Sequence, residues 1–294
     1  MPELPDIVVY AEHLERRVVG RVLRKVTLAN PFVLRTVDPP IADAAGREVT
    51  GVRRLGKRLV LALAGERFLV IHLMIAGRLR WRDAGGKAPG KIALATFAFD
   101  DGTLYLTEAG TKRRASLHYV AGEAALAALD PGGVDVFALD VAAFAERLAR
   151  GNHTVKRALT DPRIFSGIGN SYSDEILHRA QLSPFALGAK LAPDAVARLH
   201  DAAKSVLAEW TQRLRDDAGD AFPEKVTAFH DAMAVHGRYG LPCPVCGAPV
   251  QRIVYAENEA NYCARCQTGG KVLADRALSR LLHDSWPKDI DQLL

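Results

Sequence analysis

The stretch of sequence that constrains the fold most directly holds the four cysteines of the chain, Cys243-Pro244-Val245-Cys246 and Cys263-Ala264-Arg265-Cys266. Two Cys-x-x-Cys pairs separated by sixteen residues are typical of a tetrahedral zinc site with four thiolate ligands. Four protein ligands leave no coordination position for water, so the pattern predicts one structural zinc ion, bound by Cys243, Cys246, Cys263 and Cys266. A redox role for either pair is the alternative that the spacing leaves open.

The composition indicates a globular protein with an excess of positive charge. The 294 residues suit about two domains, and 49% hydrophobic with 25% charged residues is ordinary for such a protein. No apolar run approaches the roughly 20 residues that span a bilayer, and the start lacks the apolar core of a signal peptide. We therefore expect a cytoplasmic protein without a membrane partner. The net charge of +5 favours a polyanionic partner without proving one.

The first 130 residues predict one helix followed by a β-rich domain. Ile7, Ala11, Leu14 and Val18 recur at helical spacing. Short β-rich runs separated by turn residues follow, at Arg21–Leu28, Val49–Leu55, Arg58–Leu63, Phe68–Leu73, Arg78–Arg82, Ile92–Phe99 and Thr103–Thr107. This number and spacing of strands predict an antiparallel β-sandwich over residues 1–130.

Helical patterns dominate after the Pro- and Gly-containing segment Asp130–Asp135, which is typical of a linker. Helices are predicted at Val141–Ala149, Val155–Leu159, Tyr172–Arg179 and Pro193–Arg215. The sequence thus predicts a helical domain at 131–237, the cysteine element at 238–270 and an extension at 271–294. An amphipathic helix is predicted at Val272–Leu282 within that extension.

The N-terminal segment Met1-Pro2-Glu3-Leu4-Pro5-Asp6 is a candidate for covalent chemistry. If Met1 is removed, Pro2 presents a free secondary amine beside the carboxylate of Glu3. An α-amino group has a pKa of roughly 8, so more of it is neutral near pH 7 than of a lysine. Such an amine can attack an electrophilic sugar carbon and form a Schiff base. Proline is common at this position, so the pattern alone does not establish the chemistry.

Two other segments are candidate phosphate contacts. Gly167-Ile168-Gly169-Asn170 lies between two helical segments, where glycines let the backbone turn tightly and present N–H groups to an anion. Asn170 can cap the following helix or donate to a phosphate. Lys57 belongs to the basic run Arg53–Arg58 and is either a phosphate contact or a lysine on a solvated strand edge.

These motifs, taken in order, resemble those of the formamidopyrimidine-DNA glycosylase / endonuclease VIII family. The resemblance extends over residues 1–267 and rests on Met1–Asp6, Gly56-Lys57, Gly167–Asn170 with Asp174–Leu177, and Val235–Arg238 leading into the cysteine pairs. It implies an α+β multidomain fold: an N-terminal antiparallel β-sandwich, a helix–two-turns–helix domain and a C-terminal zinc-finger β-hairpin.

The resemblance also implies a function. A member of this family is a base-excision-repair DNA glycosylase with lyase activity at abasic sites, by β- or β,δ-elimination. Its partner is damaged double-stranded DNA, with single-stranded DNA as a second candidate, and it needs zinc but no redox or nucleotide cofactor. A monomer is the family's expectation, associated with the nucleoid if the source is bacterial.

Particular roles follow by resemblance for the matching residues. Pro2 is the nucleophile that attacks C1′, and Glu3 is the acid that protonates the opening sugar ring. Lys57 binds the phosphate beside the lesion, while Asp6 stands where the family more often has a glutamate. The remaining phosphate contacts implied are Asn170, Gly167, Gly169 and Arg163, the last at a position where a lysine is frequent.

Departures from the family pattern all fall on the side that recognises the lesion. Ile75 occupies the position of a methionine wedge in the purine-specific members. Residues 108–116 replace the string whose arginine and phenylalanine fill the void; Arg113 and Arg114 retain arginines, but there is no phenylalanine. Asn258 stands where a zinc-finger arginine contacts phosphate. The chain also continues to residue 294 beyond the last cysteine.

Because of these departures, the sequence does not identify which damaged base is removed. An oxidised purine is the family default, and oxidised pyrimidines, bulkier adducts and crosslinked bases are the other candidates. They also motivate an alternative function, a lesion- or structure-specific DNA-binding protein without turnover. A zinc-ribbon protein with no enzymatic role is a third hypothesis, which leaves the first 130 residues without a use.

Overall fold

The computed structural model describes residues 1–227, 229–255, 258–273, 280–281 and 287–293. It divides into two compact units. The first consists of Met1–Pro131 and Trp210–Thr227, and the second of Gly132–Glu209 and Ala228–Leu294. The predicted division into four segments stays a prediction. No helix among the described residues is long and apolar enough to cross a membrane.

The first unit begins with α1 (Leu4–Val18), whose start is fixed by its own side chains. The backbone N–H of Glu3 donates to Asp6 Oδ2 at 2.8 Å, and the Glu3 side chain accepts from the Asp6 backbone, which together form a capping box. The apolar face predicted from the sequence is buried, with Ile7 and Leu14 fully inaccessible to solvent. This anchored start holds the first residues of the chain in a fixed place.

Two four-stranded antiparallel sheets form the body of the first unit. One has the order β1-β6-β7-β5 and the other β2-β3-β4-β8. The strands are β1 Lys25–Leu28, β2 Val49–Leu55, β3 Arg58–Leu63, β4 Arg67–His72, β5 Gly77–Asp83, β6 Ala93–Ala98, β7 Gly102–Glu108 and β8 Ser116–Ala121. Apolar side chains from both sheets and from α1 share one buried core, which includes Leu61, Ile71, Phe97 and Leu106. The predicted antiparallel sandwich is confirmed.

Strand β8 has no counterpart among the predicted runs. Its first four residues, Ser116-Leu117-His118-Tyr119, alternate polar and apolar side chains, and the segment pairs along its whole length with β4. Helix α2 (Glu123–Ala127) follows it, and Leu126 packs with Phe68 and Val120 in a second, smaller core. The alternation at the start of β8 is therefore a local signal by which this strand could have been predicted.

The segment Trp210–Thr227 completes the first unit from far along the chain. The ring of Phe222 lies 5.7 Å from that of Tyr10 on α1. Glu224 pairs with Arg82 on β5, and the backbone carbonyl of Val226 accepts from Arg78 Nε at 2.6 Å. This segment is therefore bonded to both α1 and β5.

The second unit is helical, with a β-hairpin near its end. Its helices are α3 Val141–Leu148, α4 Val155–Thr160, α5 Asn170–Arg179 and α7 Ala264–Thr268, and α6 (Pro193–Ala218) continues from this unit into the first. The hairpin pairs β9 (Gln251–Tyr255) with β10 (Asn258–Tyr262). The predicted helix Val272–Leu282 includes residues 274–279 and 282, which lie outside the described residues.

Candidate active site and zinc centre

The turn that carries Lys57 lies at one end of the β2-β3-β4-β8 sheet. Arg58 pairs with His72, and His72 pairs with Ser116, so the start of β3 lies beside the end of β4 and the start of β8. Burial lowers the pKa of Lys57, and the negative charge of Glu3 raises it. Burial also lowers the pKa of His72 to about 4, so this imidazole is neutral at pH 7. In this turn, the charge of Glu3 thus favours the protonated form of Lys57.

The turn between β4 and β5 presents Ile75, whose side chain is 52% exposed. The turn is tight: the Gly77 N–H donates to the carbonyl of Leu73 at 2.9 Å, and a Cβ at Gly77 would overlap that oxygen. Met74 has φ of +54°, a left-handed conformation that costs a non-glycine residue about 1 kcal/mol. This geometry projects an apolar, β-branched side chain from the end of the sandwich.

The loop between β7 and β8 lies beside this turn, because Gly77 pairs with Glu108. Glu108 is buried, and its Oε2 accepts the backbone N–H of Ala115 at 2.9 Å, which joins the two ends of the loop. Arg113 and Arg114 are both exposed, and Arg113 donates to the carbonyl of Lys91 at 3.3 Å. The loop that carries these two exposed arginines therefore begins beside Gly77, at the end of the turn of Ile75.

Pro2 and Glu3 are both buried at the start of α1. Met1 is present, so the nitrogen of Pro2 is an amide, and the amine of Met1 stands in for the one that its removal would expose. Burial lowers the pKa of the Met1 amine, Glu3 raises it and Arg78 lowers it. The Arg78 guanidinium donates through Nη1 to the carbonyls of Gly77 and, at 3.2 Å, of Ile75. Arg78 was missed in the sequence, where it is one of three alternating arginines on β5.

Asp6 is a buried carboxyl with one bonded oxygen. Oδ2 accepts from the Glu3 N–H, whereas Oδ1 has no hydrogen-bond partner among the described residues. Burial raises the pKa of Asp6 to about 7, against the opposing effect of the bond from Glu3. The carboxyl therefore exchanges its proton near neutral pH, next to the N-terminal amine.

The second unit holds the predicted phosphate-binding turn. Gly167 has φ of +85°, Gly169 is the N-cap residue of α5, and Asn170 is its first helical residue. The side chain of Asn170 does not cap the helix: its Nδ2 donates to the carbonyl of Glu259 in β10 at 2.8 Å. Arg163 is exposed and makes two bonds to Asp161, whose pKa it lowers to about 2. The start of α5 presents its positive dipole end with Asn170 held by the hairpin.

Below this turn lies a buried ionic network. Lys156 Nζ donates to Asp174 Oδ1 at 2.5 Å and to the carbonyl of Asn170 at 3.1 Å. Asp174 Oδ2 lies 2.7 Å from His236 Nδ1, and Glu175 accepts the backbone N–H groups of residues 234, 235 and 236. These contacts join α4, α5 and the segment that leads to the cysteines.

The four cysteine sulfurs lie within 4.8 Å of one another. The Cys246–Cys263 and Cys243–Cys266 separations are 3.4 and 3.9 Å, close to the roughly 3.8 Å edge of a tetrahedron with Zn–S bonds of about 2.3 Å. The donor set fits zinc, and these residues hold one structural zinc ion.

Asn258, the first residue of β10, pairs with Tyr255 at the turn end of the adjacent hairpin.

Three family models match the chain. The formamidopyrimidine-DNA glycosylase N-terminal domain matches residues 1–115, the formamidopyrimidine-DNA glycosylase H2TH domain residues 131–216, and the zinc finger found in FPG and IleRS residues 240–269. The predicted three-part fold is therefore confirmed.

Relatives that match over about nine-tenths of this chain are formamidopyrimidine-DNA glycosylases. The formamidopyrimidine-DNA glycosylase of Thermus thermophilus is 34% identical over 279 residues, which cover 92% of this chain and 100% of the relative. That of Symbiobacterium thermophilum is 34% identical over 283 residues, covering 91% of this chain and 89% of the relative. The structure of Lactococcus lactis Fpg with DNA containing an abasic site matches with a TM-score of 0.81 at 23% identity, over 90% of this chain and 99% of that one. Sequence and fold agree: the chain belongs to the formamidopyrimidine-DNA glycosylase family.

Proposed function

We propose that this base-excision-repair DNA glycosylase and abasic-site lyase acts through a Schiff base on the amine of Pro2, exposed by removal of Met1. The observation that carries the proposal is the setting of the N-terminal amine. The pKa of the Met1 amine, which stands in for that of Pro2, is lowered by burial, raised by the charge of Glu3 and lowered by that of Arg78. The capping box of α1 fixes the neighbouring residue Glu3. A lowered pKa increases the neutral fraction of an amine, and the neutral form is the nucleophile.

The covalent steps assign roles to the neighbouring groups. The Pro2 nitrogen bonds to C1′ as the C1′–base bond breaks, and Glu3 gives a proton to the ring oxygen as the sugar opens. The resulting iminium withdraws electrons, so the Glu3 carboxylate, which has given its proton to the ring oxygen, can take a proton from C2′. A C1′–C2′ enamine forms, and the C3′–O bond then breaks with its electron pair leaving on the 3′ phosphate in β-elimination. Asp6, with its pKa raised to about 7, is suited to accept the proton that the amine loses.

Phosphate binding completes the proposal. Burial lowers the pKa of Lys57 and the charge of Glu3 opposes that shift, and the lysine is suited to bind the phosphate beside the lesion. The N-terminus of α5 supplies N–H groups from Gly169 and Asn170 together with the helix dipole, as anion sites commonly do. Arg163 is exposed and paired with Asp161, and it is suited to exchange that carboxylate for a phosphate.

The proposed substrate is duplex DNA with a damaged base rotated out of the stack. Extruding a nucleotide costs a few kcal/mol, which wedge side chains in the void offset. Ile75 is suited to be that wedge, and Arg113 or Arg114 to fill the space opposite. Complexes of Lactococcus lactis Fpg contain Fapy-dG and N7-benzyl-Fapy-dG. A ring-opened or oxidised purine is accordingly our first candidate base.

The setting proposed for this activity is the bacterial cytoplasm, at the nucleoid, since the full-length relatives come from bacteria. We further propose that the enzyme acts as a monomer. Single-stranded DNA is expected to be a poorer substrate, because it offers no void for the wedge residue Ile75 to fill.

Borohydride trapping on an abasic-site duplex tests the Schiff base. The Met-processed wild type is expected to form a reduced covalent adduct, which peptide mass spectrometry places on Pro2. A protein that retains Met1 should form no adduct on Pro2, whose nitrogen is then an amide, and Pro2→Gly should form much less adduct than the processed wild type. An undiminished adduct in Pro2→Gly, or none in the processed wild type, would remove Pro2 from its role.

A further inference from the structure

His178, near the end of α5, contacts the zinc centre from outside the cysteine pairs. Its Nε2 lies 3.3 Å from the Sγ of Cys243, a residue 65 positions further along the chain. Both side chains are buried, with exposures of 7% and 3%. The proposed glycosylase chemistry makes no use of this contact.

The chemistry of the pair fixes which atom donates. A zinc-bound cysteine is a thiolate with lone pairs and no proton, so the bond requires the imidazole tautomer that carries hydrogen on Nε2. The other fully buried sulfur, Cys263 Sγ, accepts from the backbone N–H of Cys266 at 3.5 Å. The buried thiolate of Cys263 thus accepts a backbone N–H from its own Cys-x-x-Cys pair. That of Cys243 accepts an N–H from a side chain on a distant helix.

Charge explains why such a donor matters. A zinc ion with four thiolates carries a formal charge of −2, and buried negative charge is costly unless N–H groups point at it. Cys243 and Cys263 are the buried members of the set, while Cys246 and Cys266 are partly exposed to water. The bond from His178 therefore serves a sulfur that water reaches poorly.

The same helix is bonded to the cysteine element at two further places. At its start, Asn170 donates to Glu259 in the hairpin. Just beyond its end, the carbonyl of Leu182 accepts from Gln267 Nε2 at 2.9 Å, while Gln267 Oε1 accepts the N–H of Cys263 at 2.8 Å. His178 lies eight residues, about 12 Å, from Asn170 along the helix. Of these contacts, that of His178 is the one that reaches the sulfur of a metal ligand, whereas Gln267 bonds the backbone of Cys263.

We propose that His178 is a positioning residue of the zinc centre: its Nε2–H holds the Cys243 thiolate and couples retention of zinc to α5, the helix that begins at Asn170. Loss of a hydrogen-bond partner of a metal ligand commonly weakens metal binding 10- to 100-fold. Removing the donor should therefore accelerate zinc release by about that factor, whether or not the chain cleaves DNA.

Zinc release from the full-length zinc-loaded protein to a chromogenic chelator tests the proposal. His178→Phe keeps a ring of similar size without a donor and is expected to release zinc 10- to 100-fold faster. His178→Gln restores an N–H and should remain close to wild type. The matched control is His200→Phe, because His200 is also buried in this unit but bonds the carbonyl of Leu139. Equal release from His178→Phe and wild type, or equal acceleration in all three variants, would overturn the proposal.

A second measurement needs no variant and decides the matter if His178→Phe does not fold. The wild-type protein is loaded with an NMR-active cadmium isotope in place of zinc. A correlation between the His178 Nε2–H proton and the metal, carried through the Cys243 sulfur, is the expected signature. Absence of any such correlation in a spectrum that shows the cysteine protons coupled to cadmium would overturn the proposal.

Discussion

The N-terminal end of the first unit and the helix α5 of the second unit are both polar and buried, yet they are bonded in opposite ways. At the N-terminus, Asp6 has an oxygen without a partner among the described residues. Around α5, Lys156, Asp174 and Glu175 have their charges matched by closely placed donors and acceptors.

This difference follows from the two tasks proposed. A group that passes protons must have a pKa near the working pH, and an incompletely bonded buried carboxyl has that property. A group that orients a phosphate contact must keep one position, which a fully bonded network ensures. The first region is therefore expected to respond to pH, and the second to the removal of any one partner.

Removing zinc should give the largest effect, and it should fall on the second unit alone. Structural zinc stabilises small cysteine elements by on the order of 10 kcal/mol. Chelation is expected to speed hydrogen exchange in the apolar cluster around the cysteines, at Val235, Val250 and Tyr262, while β3 and β4 keep their protection. Unchanged exchange at the cysteine element would contradict the structural role.

Asp174→Asn should have the second-largest effect, a loss of about 3–5 kcal/mol in the free energy of unfolding. The substitution leaves the buried charge of Lys156 without its carboxylate partner. Denaturant unfolding measures the loss. Arg198→Gln is the control, because the pair of Arg198 with Asp194 is exposed and should matter little. A comparable loss in both variants would mean that the buried network is not special.

The pH response tests the N-terminal end. The pKa of Asp6 is raised from 3.8 to about 7 in the folded protein, so the folded state binds the proton more tightly than the unfolded state. This stability is fully present below about pH 4 and is lost as pH rises through about 7, by at most about 4 kcal/mol. Asp6→Asn can still accept the Glu3 N–H and should flatten this decline.

Urea unfolding of both proteins between about pH 4 and pH 8 measures the difference. Parallel profiles for Asp6→Asn and wild type would show that another group sets the pH dependence. The comparison between the two regions would then lose its basis.

Ile75→Ala should have the smallest effect of the four changes, a decrease of about tenfold in excision from duplex DNA, equivalent to about 1.4 kcal/mol of the cost of extrusion. Cleavage of a single-stranded abasic site should change little. The matched control is Val19→Ala, since Val19 is also an exposed apolar residue but lies at the C-terminal end of α1. An equal decrease on both substrates would contradict a wedge role.

Local patterns predicted what depends on neighbours in sequence. Alternating apolar residues predicted the strands from β2 to β7, and the spacing of the cysteines predicted the zinc centre. The first run, Arg21–Leu28, was too long, since β1 begins only at Lys25. Glycine spacing predicted a turn at Gly167–Asn170.

Contacts between residues distant in sequence could not be predicted from such patterns. Arg78 acts on the turn of Ile75, and His178 on Cys243, but neither has a local pattern that distinguishes it from an ordinary strand arginine or helix histidine. The bond of Asn170 to Glu259 likewise depends on how the hairpin folds back on α5. Such pairings are decided by tertiary packing, which no window of sequence contains.

The segment Trp210–Thr227 has a consequence for how the protein is made. Because Phe222, Glu224 and Val226 belong to the first unit, that unit cannot be finished on the ribosome when residue 131 emerges. The nascent sandwich lacks these contacts until about a hundred further residues have been translated, and helix α1 gains its contact with Phe222 only then. A gene fragment that stops at residue 131 should therefore yield an incomplete, poorly soluble product.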